Sequence, residues 1–152
     1  MRALIPALLV LLMPAPLLAA ETLSFEPDHT SVIFTYEHFG LSHPSGKIMG
    51  AKGTLVLDTD NPAQSHVSVT LDMTTLTTAL PGFDTKLKGA DYFDVADYPA
   101  ASVGSTQVVM TGDKTADISG NLTLHGVTQP LILHTAYAKK AFNPATPSEA
   151  VR

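Results

Sequence analysis

The sequence predicts an all-β, antiparallel domain, and three observations carry that prediction. The first is residues 116–137, where two alternating stretches face each other across a tight turn. Ala116, Ile118, Gly120, Leu122 and Leu124 fall on one face of the first stretch, and Asp117, Ser119, Asn121, Thr123 and His125 on the other. A period of two marks a half-buried strand and not a helix. Gly126 and Val127 are expected to reverse the chain. The returning strand, residues 128–137, carries Leu131, Leu133 and Tyr137 on one face, with Pro130 near its start, where a missing ladder donor costs least. The second observation is residues 66–73, where Val67, Val69, Leu71 and Met73 alternate with His66, Ser68, Thr70 and Asp72. The third is the turn chemistry between such stretches: Ser, His, Pro and Gly over residues 42–46, then Asp60, Asn61 and Pro62, then Gly112 and Asp113.

Ahead of the domain, Arg2 precedes an apolar block over residues 3–18, broken only by Pro6, Pro14 and Pro16. Ala19, Ala20 and the polar Glu21 follow. A basic start, a short apolar core and a small-residue cleavage zone read as a secretory signal peptide over residues 1–20, cleaved close to Ala20. An uncleaved anchor is the alternative, but the block is short and three prolines make a poor spanning helix. No Cys stands in the cleavage zone, which argues against a lipoprotein anchor. Removing 20 of 152 residues leaves 132, the size of one domain. Arg2 leaves as well, so 8 basic residues face 14 acidic ones, a charge near −6 with His neutral. That balance argues against a nucleic-acid surface or a polybasic membrane contact. With no Cys in the chain, an exported fold must stand on its core without disulfides.

In chain order, residues 23–25 read as a short strand ended by Pro27. Residues 31–39 follow, with Val32, Phe34, Tyr36 and His38 on one side and Ser31, Ile33, Thr35 and Glu37 on the other. A single strand is expected over residues 47–58, with Gly50 and Gly53 marking a bulge or the corner of a barrel. Residues 74–99 have no sustained period of two and read as a long connection with one or two short helices. Pro81 would start a helix, Phe83 and Leu87 stand at i and i+4, and Gly89 would follow its end. Long connections of this kind in compact β domains are usually functional. A strand over 102–111 leads into the hairpin, and beyond Tyr137 residues 139–152 read as an irregular tail.

The hairpin residues Ile118, Gly120, Leu122, Thr123, Leu124, His125, Gly126, Val127, Thr128 and Pro130 resemble the GxLTLHGVT(K/Q)P signature of the YceI-like family. Asp28, His29, Ser31, Phe34, His38, Gly40 and Gly46 resemble that family's first long strand and turn, and Asp91, Phe93, Asp94, Tyr98, Pro99, Ser105 and Thr106 its middle motif. The resemblance implies a lipocalin-like barrel, exported to the bacterial periplasm, not enzymatic, holding a polyisoprenoid, a quinone or a similar amphiphilic lipid. It also implies a connection with membrane cytochromes. Two positions depart from the middle motif: Asp84, Thr85 and Lys86 stand before Leu87 where a basic residue and a His are usual, and Val103 replaces an aromatic. Family members continue with further strands, a Gly-Phe segment and an Arg-Ser-x-Phe-Gly motif. Here Asn143, Pro144, Ala145, Thr146 and Pro147 occupy that place, so the chain reads as a C-terminally truncated or frameshifted member with an incomplete barrel. Unpaired edges then invite association, a homodimer included.

The cavity candidates are Val32, Phe34, Tyr36, His38, Val67, Val69, Leu71, Met73, Phe83, Phe93, Ile118, Leu122 and Leu124. The same apolar residues would serve equally as a plain core; the resemblance tips the reading toward a cavity. Each five-carbon isoprenoid unit offers about 3–4 kcal/mol of gross burial, so a few units offset an association cost of about 4–15 kcal/mol. Asp28 and His29 are headgroup candidates, or simple turn residues. His38 reads either as a ligand contact or as a hydrogen-bonded core residue, and His125 as structural. His66 and His134 lack carboxylate partners at a recognisable spacing. No metal is expected, because the six His residues form no HExxH or closely spaced pair. No nucleophile elbow surrounds Ser31, Ser45 or Ser105, and Asp91 and Asp94 read as caps around Phe93, so no catalytic residues are assigned. Two alternatives to a lipid carrier stand: a ligand-free β-domain that partners a membrane redox protein, cytochrome or quinone linked, and an esterase-like enzyme.

Overall fold

The structure, a computed structural model, describes residues 20–138. The expected leader over residues 1–20, all but Ala20, and the tail over 139–152 lie outside the described residues. The described residues form eight antiparallel strands: β1 (Glu21–Ser24), β2 (Ser31–Thr35), β3 (Ser45–Met49), β4 (Lys52–Leu57), β5 (His66–Asp72), β6 (Ala100–Gly112), β7 (Thr115–Leu124) and β8 (Val127–Ala136). The one α-helix among the described residues is α1 (Pro81–Lys88). Six strands make one sheet in the order β1-β4-β5-β6-β7-β8, and β2 pairs with β3 in a second sheet. The barrel is not closed.

The inner face of the large sheet follows from register. Leu71 pairs with Ala101, Val69 with Val103, Val103 with Leu122, and Val108 with Ile118, so these side chains share one face. The core forms where β3 lies over that face. Ile48 and Ala51 cluster there with Leu71, Met73, Leu76, Leu87, Val95 and Ala101, all buried. Met73 and Leu76 are each 1% exposed. A two-way backbone bridge ties the long connection to the small sheet: Lys47 N–H donates to Thr77 O at 2.8 Å and Thr77 N–H to Lys47 O at 2.9 Å.

Three expected elements change. Residues 47–58 are not one strand but the end of β3 and the whole of β4, separated at Gly50 and Ala51. Gly50 has φ 72, which a residue without a Cβ adopts at no steric cost, and the chain there passes from one sheet into the other. The strand expected over 31–39 ends at Thr35; beyond it Tyr36 N–H donates to Pro44 O at 3.0 Å, opposite a residue with no N–H to return, and Phe39 and Gly40, both left-handed (φ 53 and 70), then turn the chain. At the hairpin the reversing residues are His125 (φ 51) and Gly126 (φ 71), not Gly126 and Val127. Positive φ at both central residues is what a type I′ turn requires, and its twist matches the strands it joins. The remaining strand and helix bounds shift by only a few residues.

Leu124 and Val127 flank this two-residue turn and Asn121 lies opposite Pro130. Counting from the turn, Pro130 occupies a pair that exchanges no ladder bonds, so its missing N–H faces away from β7. β8 is thus an edge strand that lacks one outward donor. The expectation that His134 has no carboxylate partner is corrected: its Nδ1 lies 2.7 Å from Asp117 Oδ1, directly across β7 and β8. That pairing depends on register, which spacing along the chain does not reveal.

The hairpin tip is docked. His125 stacks edge-on against Tyr98 with ring centroids 4.7 Å apart, and a Cβ on Gly126 would stand 2.7 Å from Tyr98 Cε1. Gly126→Ala therefore meets two penalties, a left-handed backbone and a ring that must move. It is expected to lower stability by about 1–3 kcal/mol, read as a fall in the urea midpoint with unchanged slope.

Candidate functional site

A half-open groove of about 620 Å³ lies between the end of β2 and α1. A depression of about 580 Å³ also lies over Ser119, Pro130 and Ile132, so it is the aromatic lining and not the volume that distinguishes this groove. Six of its eleven lining residues are aromatic: Phe34, Tyr36, Phe39, Phe83, Tyr92 and Phe93. Thr35, Glu37, His38, Lys86 and Leu87 complete it.

Each wall is placed by local sequence. On β2, Phe34 pairs with Gly46 of β3, and the Phe34 ring lies across the space that a side chain at 46 would fill. Tyr36 continues the row, its ring 6.5 Å from Phe34 and 5.1 Å from Phe83 between centroids. The opposite wall is α1, which Pro81 starts with its φ preset and no N–H to satisfy. Phe83, Lys86 and Leu87 stand at i, i+3 and i+4, one face of the helix. After Lys88 the chain folds back on the helix end: Phe93 N–H donates to Leu87 O at 3.0 Å and Val95 N–H to Lys88 O at 2.9 Å. This return brings Tyr92 and Phe93 beside Phe83. Lys86 Nζ lies 5.4 Å from the Tyr92 ring centre, a cation–π contact at the rim.

Asp84 holds the loop before α1. Its carboxylate accepts from Thr78 N–H (2.6 Å), Thr78 Oγ1–H (2.6 Å) and Thr77 Oγ1–H (2.7 Å). Chiefly the Thr78 hydroxyl, helped by Thr77, the Thr78 amide and Lys88, holds this carboxyl below its ordinary value of 3.8, against an opposing effect of burial second in size only to that of the Thr78 hydroxyl. At the other end of the connection Asp72 is lowered in the same way, first by the Thr74 hydroxyl and then by the Thr74 amide. A depressed folded value means that these bonds stabilise the fold above the unfolded value. The contribution is lost as pH falls through the folded value. Stability is therefore expected to drop below about pH 4, and Asp84→Asn should flatten that acid limb in urea titrations at stepped pH.

Of the sequence candidates, the groove gathers Phe34, Tyr36, His38, Phe83 and Phe93. His38 is exposed at the rim and not within the core. Val67, Leu71 and Met73 are buried, and Val69 and Leu124 pack against the core cluster. Ile118 and Leu122 are half-buried on the inner sheet face. Val32, opposite Ile48, is 39% exposed. Asp28 and His29 are exposed in a 3-10 turn, His29 3.5 Å from Glu26 Oε2, and neither lines the groove. Sequence reasoning missed Thr35, Glu37, Phe39, Lys86, Leu87 and Tyr92. Helical spacing from Phe83 would have found Lys86 and Leu87; the other four follow from the early end of β2 and the fold-back after α1.

The groove offers apolar burial along its aromatic walls. The Ser105 hydroxyl is used structurally: at the bulge between Ser105 and Gln107 it accepts the Val67 N–H at 2.8 Å. Among the described residues no group of three or more His, Asp or Glu could hold a metal ion, and no helix is long and apolar enough to cross a membrane.

Comparison with known proteins agrees with this architecture. The profile of the YceI-like domain matches residues 23–150. Protein YceI of Escherichia coli O157:H7 is 37% identical over 119 residues, which cover 78% of this chain and 62% of that relative. The chain thus spans about 62% of the length of the curated relatives it matches. Among solved structures, Burkholderia cenocepacia BcnA aligns with a TM-score of 0.68 at 19% identity, over 74% of this chain and 70% of that one. A polyisoprenoid binding domain from Saccharophagus degradans aligns with a TM-score of 0.51 at 17% identity, over 76% and 66% of the two chains. On the profile match over nearly the whole described region, the chain belongs to the YceI-like family.

Proposed function

We propose that the chain is an exported, periplasmic binding protein that carries a polyisoprenoid or related amphiphilic lipid and catalyses no reaction. Residues 1–20 act as a cleaved leader and 21–138 as the binding domain. The apolar tail lies along the aromatic groove, and the polar end stays near the Lys86–Tyr92 rim. The observation that carries this reading is the groove itself: six aromatic side chains and Leu87 line about 620 Å³ open to solvent on one side. Aromatic rings supply large apolar area at low entropy cost, which suits a long tail without polar handles. Membership of the YceI-like family, and the likeness in fold to a domain that binds polyisoprenoid, support the same ligand class. Native mass spectrometry of the processed chain, recovered from the periplasm and incubated with an isoprenoid lipid in detergent, tests it. A compact ion with a lipid-mass adduct is expected; compact ions that stay bare would overturn the reading.

A further inference from the structure

Beyond β2 the chain makes a tight turn over residues 38–42. Leu41 N–H donates to His38 O at 3.0 Å, and His38 N–H donates to Ser42 O at 2.9 Å. Phe39 and Gly40 at its centre have φ 53 and 70. A left-handed phenylalanine is held against its own preference, so the surrounding bonds fix the shape of this turn. The result is costly by the usual logic of a surface: Phe39 is 86% and Leu41 84% exposed, the two most exposed large apolar side chains among the described residues. Phe39 also lines the groove, so the exposed tip and the groove mouth are continuous.

We infer that the 38–42 turn is a membrane-docking tip, which seats Phe39 and Leu41 in the interfacial layer of a lipid bilayer beside the groove mouth. The inference rests on the lipid-groove reading above, because a tail that enters past Phe39 then passes from membrane to groove without crossing water. The surroundings suit that layer. No carboxylate or ammonium lies within residues 38–44; His38, Ser42 and His43 are exposed beside the tip, and Lys86 over Tyr92 sits on the facing rim. Glu37 precedes it on the β2 side of the turn, its Oε1 3.7 Å from where a Cβ on Gly40 would be. Amphipathic aromatics and Lys with its head toward water are what bilayer interfaces accept. A protein partner fits less well, since a stable interface buries about 1,000 Å² or more and a convex tip of two side chains offers a fraction of that. A fluid bilayer needs no matching surface.

The chain contains no Trp, so Leu41→Trp in the processed chain places a single reporter at the tip. Phosphatidylcholine vesicles should shift its emission to the blue, and brominated acyl chains should quench it. An unshifted, unquenched spectrum overturns the inference. Leu41→Ser should reduce flotation with the same vesicles by about tenfold or more. Its thermal midpoint and its lipid adduct in detergent should stay unchanged, because Leu41 does not line the groove. Flotation of Leu41→Ser equal to that of the unaltered chain, or loss of its adduct in detergent, counts against docking. So does a change from dimer to monomer by sedimentation without vesicle binding, which would make the tip a contact between copies of the chain. Vesicle binding without any adduct would instead support docking while removing the lipid cargo.

Discussion

Phe34→Asp should abolish the lipid adduct of the processed chain, while Thr70→Ala, on the outer face of β5, should leave it intact. Phe34 occupies the floor where β2, Gly46 and the Tyr36–Phe83 pair meet, and it packs against the core cluster. A carboxylate there removes a large apolar face from the groove. It also confronts any tail with a charge that ligand binding would have to desolvate without a partner. Loss of apolar contact and added desolvation together correspond to a hundredfold or greater fall in affinity, on the order of 3 kcal/mol or more. Because Phe34 is half-buried, some loss of stability accompanies the change, so the comparison is made well below the variant's thermal midpoint. Circular dichroism that retains the β signal, with the adduct gone, identifies the groove as the site. Equal adducts on both variants would place the ligand elsewhere.

Met73→Ala should lower the stability of the fold by about 2–5 kcal/mol, more than any surface change. Met73 is 1% exposed and begins the 3-10 turn Met73–Thr75 that carries the chain off β5. Its side chain fills the space between β3, α1 and the inner face of the large sheet, and its N–H donates to Pro99 O at 2.9 Å. Two residues on, the Thr75 hydroxyl accepts Met49 N–H at 2.9 Å and donates to Met49 O at 3.0 Å. With the backbone pinned on both sides, the site cannot collapse around a smaller residue, which favours the upper part of that range. Met73→Leu, close in volume, should cost less than about 1.5 kcal/mol. Urea midpoints of the two variants decide between a packed core and a loose one: equal values would mean that Met73 fills no fixed space.

Much of this was legible in the chain, and the misses share a cause. The alternation of β5 and of the β7–β8 hairpin is long enough to impose a period of two, and Pro81, Phe83, Leu87 and Gly89 spell out α1. Gly50 was readable as a corner, but not that the corner separates two sheets, because that depends on which strand β1 selects. It pairs with β4, past the whole β2–β3 hairpin. The groove was half legible for the same reason. Phe34, Tyr36 and Phe83 stood out as apolar residues on regular elements. Phe39 and Tyr92 reach the site through a left-handed turn and through a fold-back held by backbone bonds, neither of which has a hydrophobic period. Asp28 and His29 stand out by motif, yet they sit in a separate turn. Leu71, which shows the same alternation as Phe34, belongs to the core cluster, and Val67 is buried on the same face of β5 outside that cluster. Alternation reports which side of a strand is apolar, not whether that side meets protein or ligand.

The pairing of β1 with β4 also bears on the order in which the fold assembles. β7 and β8 need only the two residues His125 and Gly126 to meet, and β6 joins them through a turn of the same length, Asp113 and Lys114. Closing these contacts costs little chain entropy, so this meander is where assembly is cheapest to begin. Ser24, by contrast, must find Thr54 with the entire small sheet looped out between them. The first strand to leave a ribosome or a translocation channel therefore has no partner until much more chain has followed. Pairing of β2 with β3, closed where Gly50 N–H donates to Thr30 O at 3.2 Å, is what brings β1 and β4 within reach of each other. Assembly should thus run against the direction of synthesis, with the aromatic groove completed only when β2 settles beside α1.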